Sequence, residues 1–115
     1  MNKGMKRVLL EDLPVLEVSH DEMLTKQVML TRGDMPHLTH FSVTLLSQGQ
    51  TTTPHLHKDL HEAFFVASGE GKIRVNATEH YLEQGVLVTV EPGEVHEISN
   101  IGSSDLVLIY FGLEE

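Results

Sequence analysis

Cysteine is absent from the 115 residues, which excludes disulfides and any thiolate metal site. Basic residues are scarce: 8 Lys and Arg stand against 17 Asp and Glu, a net charge of −9 with histidines neutral. So acidic a chain does not suit the phosphate backbone of nucleic acid. The charge serves instead to keep a small protein in solution. Long apolar runs are missing too. The longest, Leu106 to Phe111, has six residues, where a membrane helix needs roughly 20. After the basic residues of MNKGMKRVLLEDLP no apolar stretch of about 7–15 residues follows to make a secretory signal. No segment keeps a helical apolar period over three turns, and neither an internal repeat nor a linker is visible. What is left is one β-rich domain spanning residues 1–115, expected in the cytoplasm, with no nucleic-acid and no membrane partner.

Histidine, by contrast, is abundant: there are eight. Three fall in the stretch GQTTTPHLHKDLHEAFFVASG, from Gly49 to Gly69. Alternation predicts that Thr51, Thr53, His55 and His57 share one face of an extended strand. Two imidazoles then aim at one point. Lys58-Asp59-Leu60 turns the chain, and Glu62 opens a strand rich in aromatic and β-branched residues, Glu62 to Ala67. On an antiparallel return, Glu62 faces the two histidines. A later run, GVLVTVEPGEVHEISN from Gly85 to Asn100, carries a strand into a Pro92-Gly93 turn and out to His96. Imidazole nitrogen and carboxylate oxygen are ligands for first-row divalent metals. His55, His57, Glu62 and His96 are thus the candidate metal ligands, an octahedral set with two open positions. His61 points to the opposite face from Glu62 in a regular strand and stays outside the set. Phe64 shares the face of Glu62 and should wall a cavity, while Phe65 faces out.

These two stretches resemble the motifs of the cupin superfamily. In the first, Gly49, His55, His57, Glu62 and Gly69 fall in register without departure. In the second, Gly85, Gly93, His96 and Asn100 are in register, and Glu91 stands where a proline is usual. The resemblance implies an all-β fold, a double-stranded β-helix or jelly roll with the metal inside. It also implies a pairing of two copies, to which Phe65 and the N-terminal strands would contribute. Spacing alone separates a sandwich or barrel from helical folds, but not a jelly roll from other barrels.

In chain order, Arg7–Leu10 and Pro14–Val18 read as short strands. Ser19-His20-Asp21-Glu22 fits a capping box, so residues 19–24 are expected as a turn or one helical turn, before a strand over Lys26–Thr31. The N-terminal strands, within 7–31, should pack on the barrel. Thr39–Ser47 alternates, with Phe41, Val43 and Leu45 expected to face inward. Beyond Gly69, Glu70-Gly71 reads as a tight hairpin into Lys72–Asn76. Asn76-Ala77 turns the chain into Glu79–Leu82. Val86–Val90, Val95–Ser99 and Asp105–Phe111 complete ten or eleven strands. His37, His40 and His80 read as surface or rim residues, with His40 on the strand leading to the metal.

Function is less legible than the site. One reading is a metal-dependent enzyme: a divalent Mn, Fe, Ni, Co, Cu or Zn ion acts on a small anionic or hydroxylated substrate by oxygenation, decarboxylation or isomerisation. No catalytic residue is assigned, and none of Arg7, Arg32 and Arg74 can be placed inside, which weighs against a decarboxylase. The alternative is a non-catalytic metal-containing cupin that binds or senses a small ligand. A third, purely structural reading requires no metal. A positioned acid or base beside the metal would favour the enzyme; a pocket lined by Phe41, Val43 and Phe64 would favour the binder.

Overall fold

The computed structural model describes residues 4–18 and 21–115. A 3₁₀ turn at Leu10–Asp12 precedes nine strands: β1 (Leu16–Val18), β2 (Asp21–Thr31), β3 (Leu38–Leu46), β4 (His61–Ser68), β5 (Glu70–Val75), β6 (Thr78–Glu83), β7 (Leu87–Val90), β8 (His96–Asn100) and β9 (Leu106–Leu113). They form a six-stranded sheet in the order β1-β2-β3-β9-β4-β7 and a three-stranded sheet in the order β6-β5-β8. Every recorded pairing is antiparallel. The two sheets face each other as a jelly-roll barrel, the all-β class that the alternating pattern predicts.

Between the sheets lie Leu46, Val66, Ile73, Leu82, Leu106 and Leu108, all fully buried. Each contributes about 1.5–3 kcal/mol by leaving water. The chain passes from sheet to sheet at tight corners. At one of them a single residue, Gly69, separates β4 from β5. Its φ is +92°, and a Cβ there would lie 2.4 Å from the Asp105 carbonyl oxygen. Only glycine meets both demands. This corner is not the hairpin expected at Glu70-Gly71, because β4 and β5 belong to different sheets. The Asn76-Ala77 hairpin does form, with Asn76 at φ 55°.

Three further expectations are corrected. Arg7–Leu10 is not a strand: the 3₁₀ turn begins at Leu10, and Gln27 Nε2 donates to the carbonyls of Leu10 and Leu13. The expected turn over residues 19–24 gives way to strand from Asp21, since pairing with both β1 and β3 outweighs a local capping signal. Residues 19 and 20 of that capping box lie outside the described residues. On β3 the inward face is the opposite one. Leu38, Ser42, Thr44 and Leu46 are buried, while Phe41, Val43 and Leu45 are half-buried on the outer face. There they lie opposite Phe111, Ile109 and Val107 of β9. A one-residue change of parity exchanges every side chain of a strand.

Candidate metal centre and its pocket

The segment before His55 is no regular strand. It runs beside β8 with Thr51 opposite Ser99 and His55 opposite His96, four steps on one side against three on the other. The extra residue is a bulge at Thr53-Pro54, where proline has no N–H to add to a ladder. So Thr52, and not Thr51 or Thr53, shares the pocket with His55 and His57. Beyond the bulge the alternation resumes. His55 and His96 exchange backbone hydrogen bonds, N to O at 3.1 Å and 2.9 Å. The Gly93 N–H donates to the His57 carbonyl at 2.8 Å, which ties the Pro92-Gly93 turn to the histidine segment.

Glu62 and Phe64 enter from β4, and both are buried. His61, their neighbour, is exposed, as its position on the other face requires. The imidazole centroids of His55 and His96 are 4.4 Å apart, and those of His55 and His57 5.1 Å. Ligand atoms from His55, Glu62 and His96 all lie within 4.8 Å of one another. His57 stands at the edge of this cluster, its Nε2 3.6 Å from Glu62 Oε1. His55 Nδ1 bonds the Thr53 carbonyl at 2.8 Å and His96 Nδ1 the Glu94 carbonyl at 3.1 Å. Backbone bonds of this kind orient a ring and assign the ligand role to Nε2.

The donors fit a cation. His96 Nε2 is fully buried with no aligned hydrogen-bond partner, although Glu62 Oε1 is only 3.2 Å away. A buried nitrogen in that state is costly without something to bind. Burial alone would raise the Glu62 carboxyl. The His96 contact and the nearby His57 and His55 outweigh it and hold Glu62 below its usual value. Burial would lower His96, but the contacts with Glu62 and with the Glu94 backbone raise it. The set combines one carboxylate charge with three imidazoles, the donor chemistry of a first-row divalent ion.

These residues sit at one end of a cavity of about 210 Å³. Its lining corrects the expected one: His40, Thr44 and Leu46 come from β3, not Phe41 and Val43. Leu24, Leu46, Ile98 and Leu108 belong both to the cavity wall and to the core. His40, one of the residues read as surface or rim, is therefore inside, whereas His37 and His80 are exposed. His40 Nδ1 lies 2.8 Å from Ser42 Oγ, and its ring meets Tyr110 edge-on at 4.7 Å. Burial, then Lys26, keeps His40 below the ordinary histidine value; Glu62 pulls the other way and His57 adds to the lowering. Tyr110 stacks on Phe64 at 5.3 Å, and burial, then Glu62, pushes its phenol up to about 12. Lys26 and Tyr110 are pocket residues that sequence reasoning missed. Their signal was parity: Lys26 shares a face with Leu24, and Tyr110 with Leu108.

The profile of the cupin domain matches residues 42–112. This chain belongs to the cupin family. Among curated proteins, this cupin is 27% identical over 90 residues to an oxalate-binding protein of Thermotoga maritima, covering 78% of this chain and 70% of that one. Among solved structures, it superposes on a Thermotoga maritima protein described as a predicted oxalate decarboxylase with a TM-score of 0.88. Their identity is 20%, over 96% of this cupin and 100% of the other chain. An RmlC-like cupin of Shewanella frigidimarina gives a TM-score of 0.79 at 16% identity, covering 100% and 96%. At these identities the structural likenesses speak for the fold. Among the described residues of this cupin, no helix is long and apolar enough to cross a membrane.

Proposed function

We propose that this cupin holds one divalent transition-metal ion on His55, His57, Glu62 and His96 and is a metal-dependent enzyme for a small anionic or hydroxylated substrate. The observation that carries the reading is the convergence of metal-type donors, one of them a buried nitrogen with no aligned hydrogen-bond partner, on the wall of one partly open pocket. When bound, the ion would supply Lewis acidity and a template for oxygen donors; Mn, Fe, Co, Ni, Cu and Zn all suit the set. The chain's own residues do the rest. Backbone bonds hold the rings of His55 and His96 in place. Glu62 offsets part of the ionic charge. Phe64, Leu24 and Leu108 keep bulk water away. His40, neutral at neutral pH, can accept a proton, and Tyr110, firmly protonated, can donate a hydrogen bond. An acid–base pair inside the pocket favours an enzyme of the oxygenation, decarboxylation or isomerisation type.

A second reading rests on the oxalate-binding relative: a cupin that captures a small carboxylate without changing it. Metal analysis of untagged protein, purified with no metal added, comes first. The metal-loaded protein is then given oxalate. Release of formate and carbon dioxide supports the enzyme reading, and oxalate bound but recovered intact supports the binder. Protein that retains no metal and binds no carboxylate sinks both. We further propose that residues 1–115 act as one domain, that the protein works in the cytoplasm, and that two copies pair.

A further inference from the structure

Among the described residues, the Lys or Arg side chain that lines the pocket is a lysine, not one of the three arginines. Arg32 and Arg74 pair with Glu114 and Glu79 on the outside, and Arg7 is exposed. Lys6 and Lys72 are matched with Asp34 and Glu79. Lys26 lines the cavity half-buried, and among the described residues no carboxylate pairs with it.

Strand register locates it. Lys26 lies opposite Thr44, which lies opposite Leu108. Glu62 lies opposite Gly112, which lies opposite His40. Along β3 the Lys26 row and the Glu62 row are thus separated by the step from His40 to Thr44, ~13 Å of strand. Between them runs a row with Ser42, Tyr110 and Phe64. The Lys26 backbone therefore lies on the wall away from Glu62, with the row of Tyr110 and Phe64 between, and its charge is felt as far as His40. A half-buried lysine with no acid partner among the described residues, on the wall of a pocket that also carries two aromatic rings, is suited to a carboxylate at the far end of a ligand.

We propose that Lys26 binds a second carboxylate, remote from the metal, so that the pocket selects dicarboxylates with a carbon spacer over monocarboxylates. This rests on the proposed metal centre. The near carboxylate goes to the ion, the methylenes lie against Tyr110 and Phe64, and the far carboxylate meets the lysine. Oxalate, with no spacer, uses only the metal end.

The test uses cobalt(II)-loaded full chain and calorimetry with malonate, succinate and glutarate, each beside its monoamide, and with oxalate. In the wild type the best-fitting diacid should bind about tenfold or more tighter than its monoamide. Lys26→Met, similar in length and uncharged, should abolish that preference and leave cobalt content, cobalt spectrum and oxalate affinity unchanged. Lys26→Arg should retain the preference. A Lys26→Met protein that still prefers the diacid overturns the inference, as does a wild type that binds oxalate but none of the longer acids. Either result leaves the metal centre standing. If the cobalt protein binds no carboxylate at all, the inference is overturned and the carboxylate-binding reading falls with it, while the metal content decides the metal centre separately.

Discussion

Positions 61 and 62 are neighbours in the chain with opposite fates, and replacing each with alanine separates the metal reading from its rivals. Glu62 is 6% exposed and faces His96, His57 and His55. His61 is exposed on the other face of the same strand. Removing a buried partner from hydrogen-bonding groups costs about 1–3 kcal/mol. In the loaded protein Glu62→Ala also weakens the metal's contribution, which is about 2.7 kcal/mol when free metal is at a hundredfold excess over Kd. The total is about 4–6 kcal/mol, against less than about 0.5 kcal/mol for a surface change such as His61→Ala. At roughly 4 °C per kcal/mol for a domain of this size, Glu62→Ala should lower the Tm of loaded protein by about 15–25 °C and His61→Ala by about 2 °C or less. Scanning calorimetry with and without a chelator, paired with metal analysis, measures both. Chelation should lower the Tm of the wild type and of His61→Ala, and should hardly move Glu62→Ala. Glu62→Gln should fall between, since the amide keeps an oxygen donor and loses the charge. If His61→Ala empties the site while Glu62→Ala stays full, the face assignment is off by one residue. If neither changes metal content and a chelator does nothing, there is no metal centre.

Three other outcomes are expected. Gly93→Val should lower both stability and metal affinity. Nothing crowds a Cβ there, but φ is +85°, a strain of about 1–3 kcal/mol for a branched residue, and the Gly93 N–H anchors His57; normal metal content in a folded variant would refute that role for the turn. In metal-free protein, the wild-type advantage over Glu62→Gln in urea should peak between about pH 4.5 and 6.5. The depressed Glu62 contributes above its unfolded value and loses this as pH falls through its folded one, whereas the raised His96 contributes below its unfolded value and loses this as pH rises; an advantage that does not vary with pH would contradict the pairing. Light scattering at concentrations on the order of tens of micromolar should show a dimer that Phe65→Glu converts to a monomer, because Phe65 is 41% exposed on the outer face that also carries Phe41, Val43, Leu45, Ile109 and Phe111; a wild-type monomer would refute it.

The glycines at 49, 69, 85 and 93 mark in the sequence the corners that the fold turns, and all four have positive φ. The faces of Glu62, His61, Phe64 and Phe65 were also legible, because β4 is regular from His61 to Val66, and its register shifts only beyond them. β3 was not. Period-two alternation says which residues share a face, not which face is inside. Phe41, Val43 and Leu45 are the more apolar set, yet they cover the outer face. The inner positions His40, Ser42 and Thr44 look like a solvent face because a ligand pocket is lined by polar groups. The same ambiguity hid Lys26. The bulge at Thr53-Pro54 hid the shift between Thr52 and His55, since a single extra residue leaves no mark in composition.

The backbone exchange between His55 and His96 joins residues 41 positions apart in the chain, and it bears on the order of assembly. Closing so long a loop is an entropic cost met before any contact rewards it. Of the four candidate ligands only His96 lies beyond that closure, and His55 and His57, two residues apart, are the pair readiest to grip an ion before it. An ion captured early would sit on a two-nitrogen chelate in a disordered segment, free to recruit a wrong third ligand from the other histidines. Refolding in the presence of metal should then be slower than refolding followed by metal addition, although both routes end in the same loaded state. The ion would act as the last piece set into a finished frame and would be a hindrance if it arrived first.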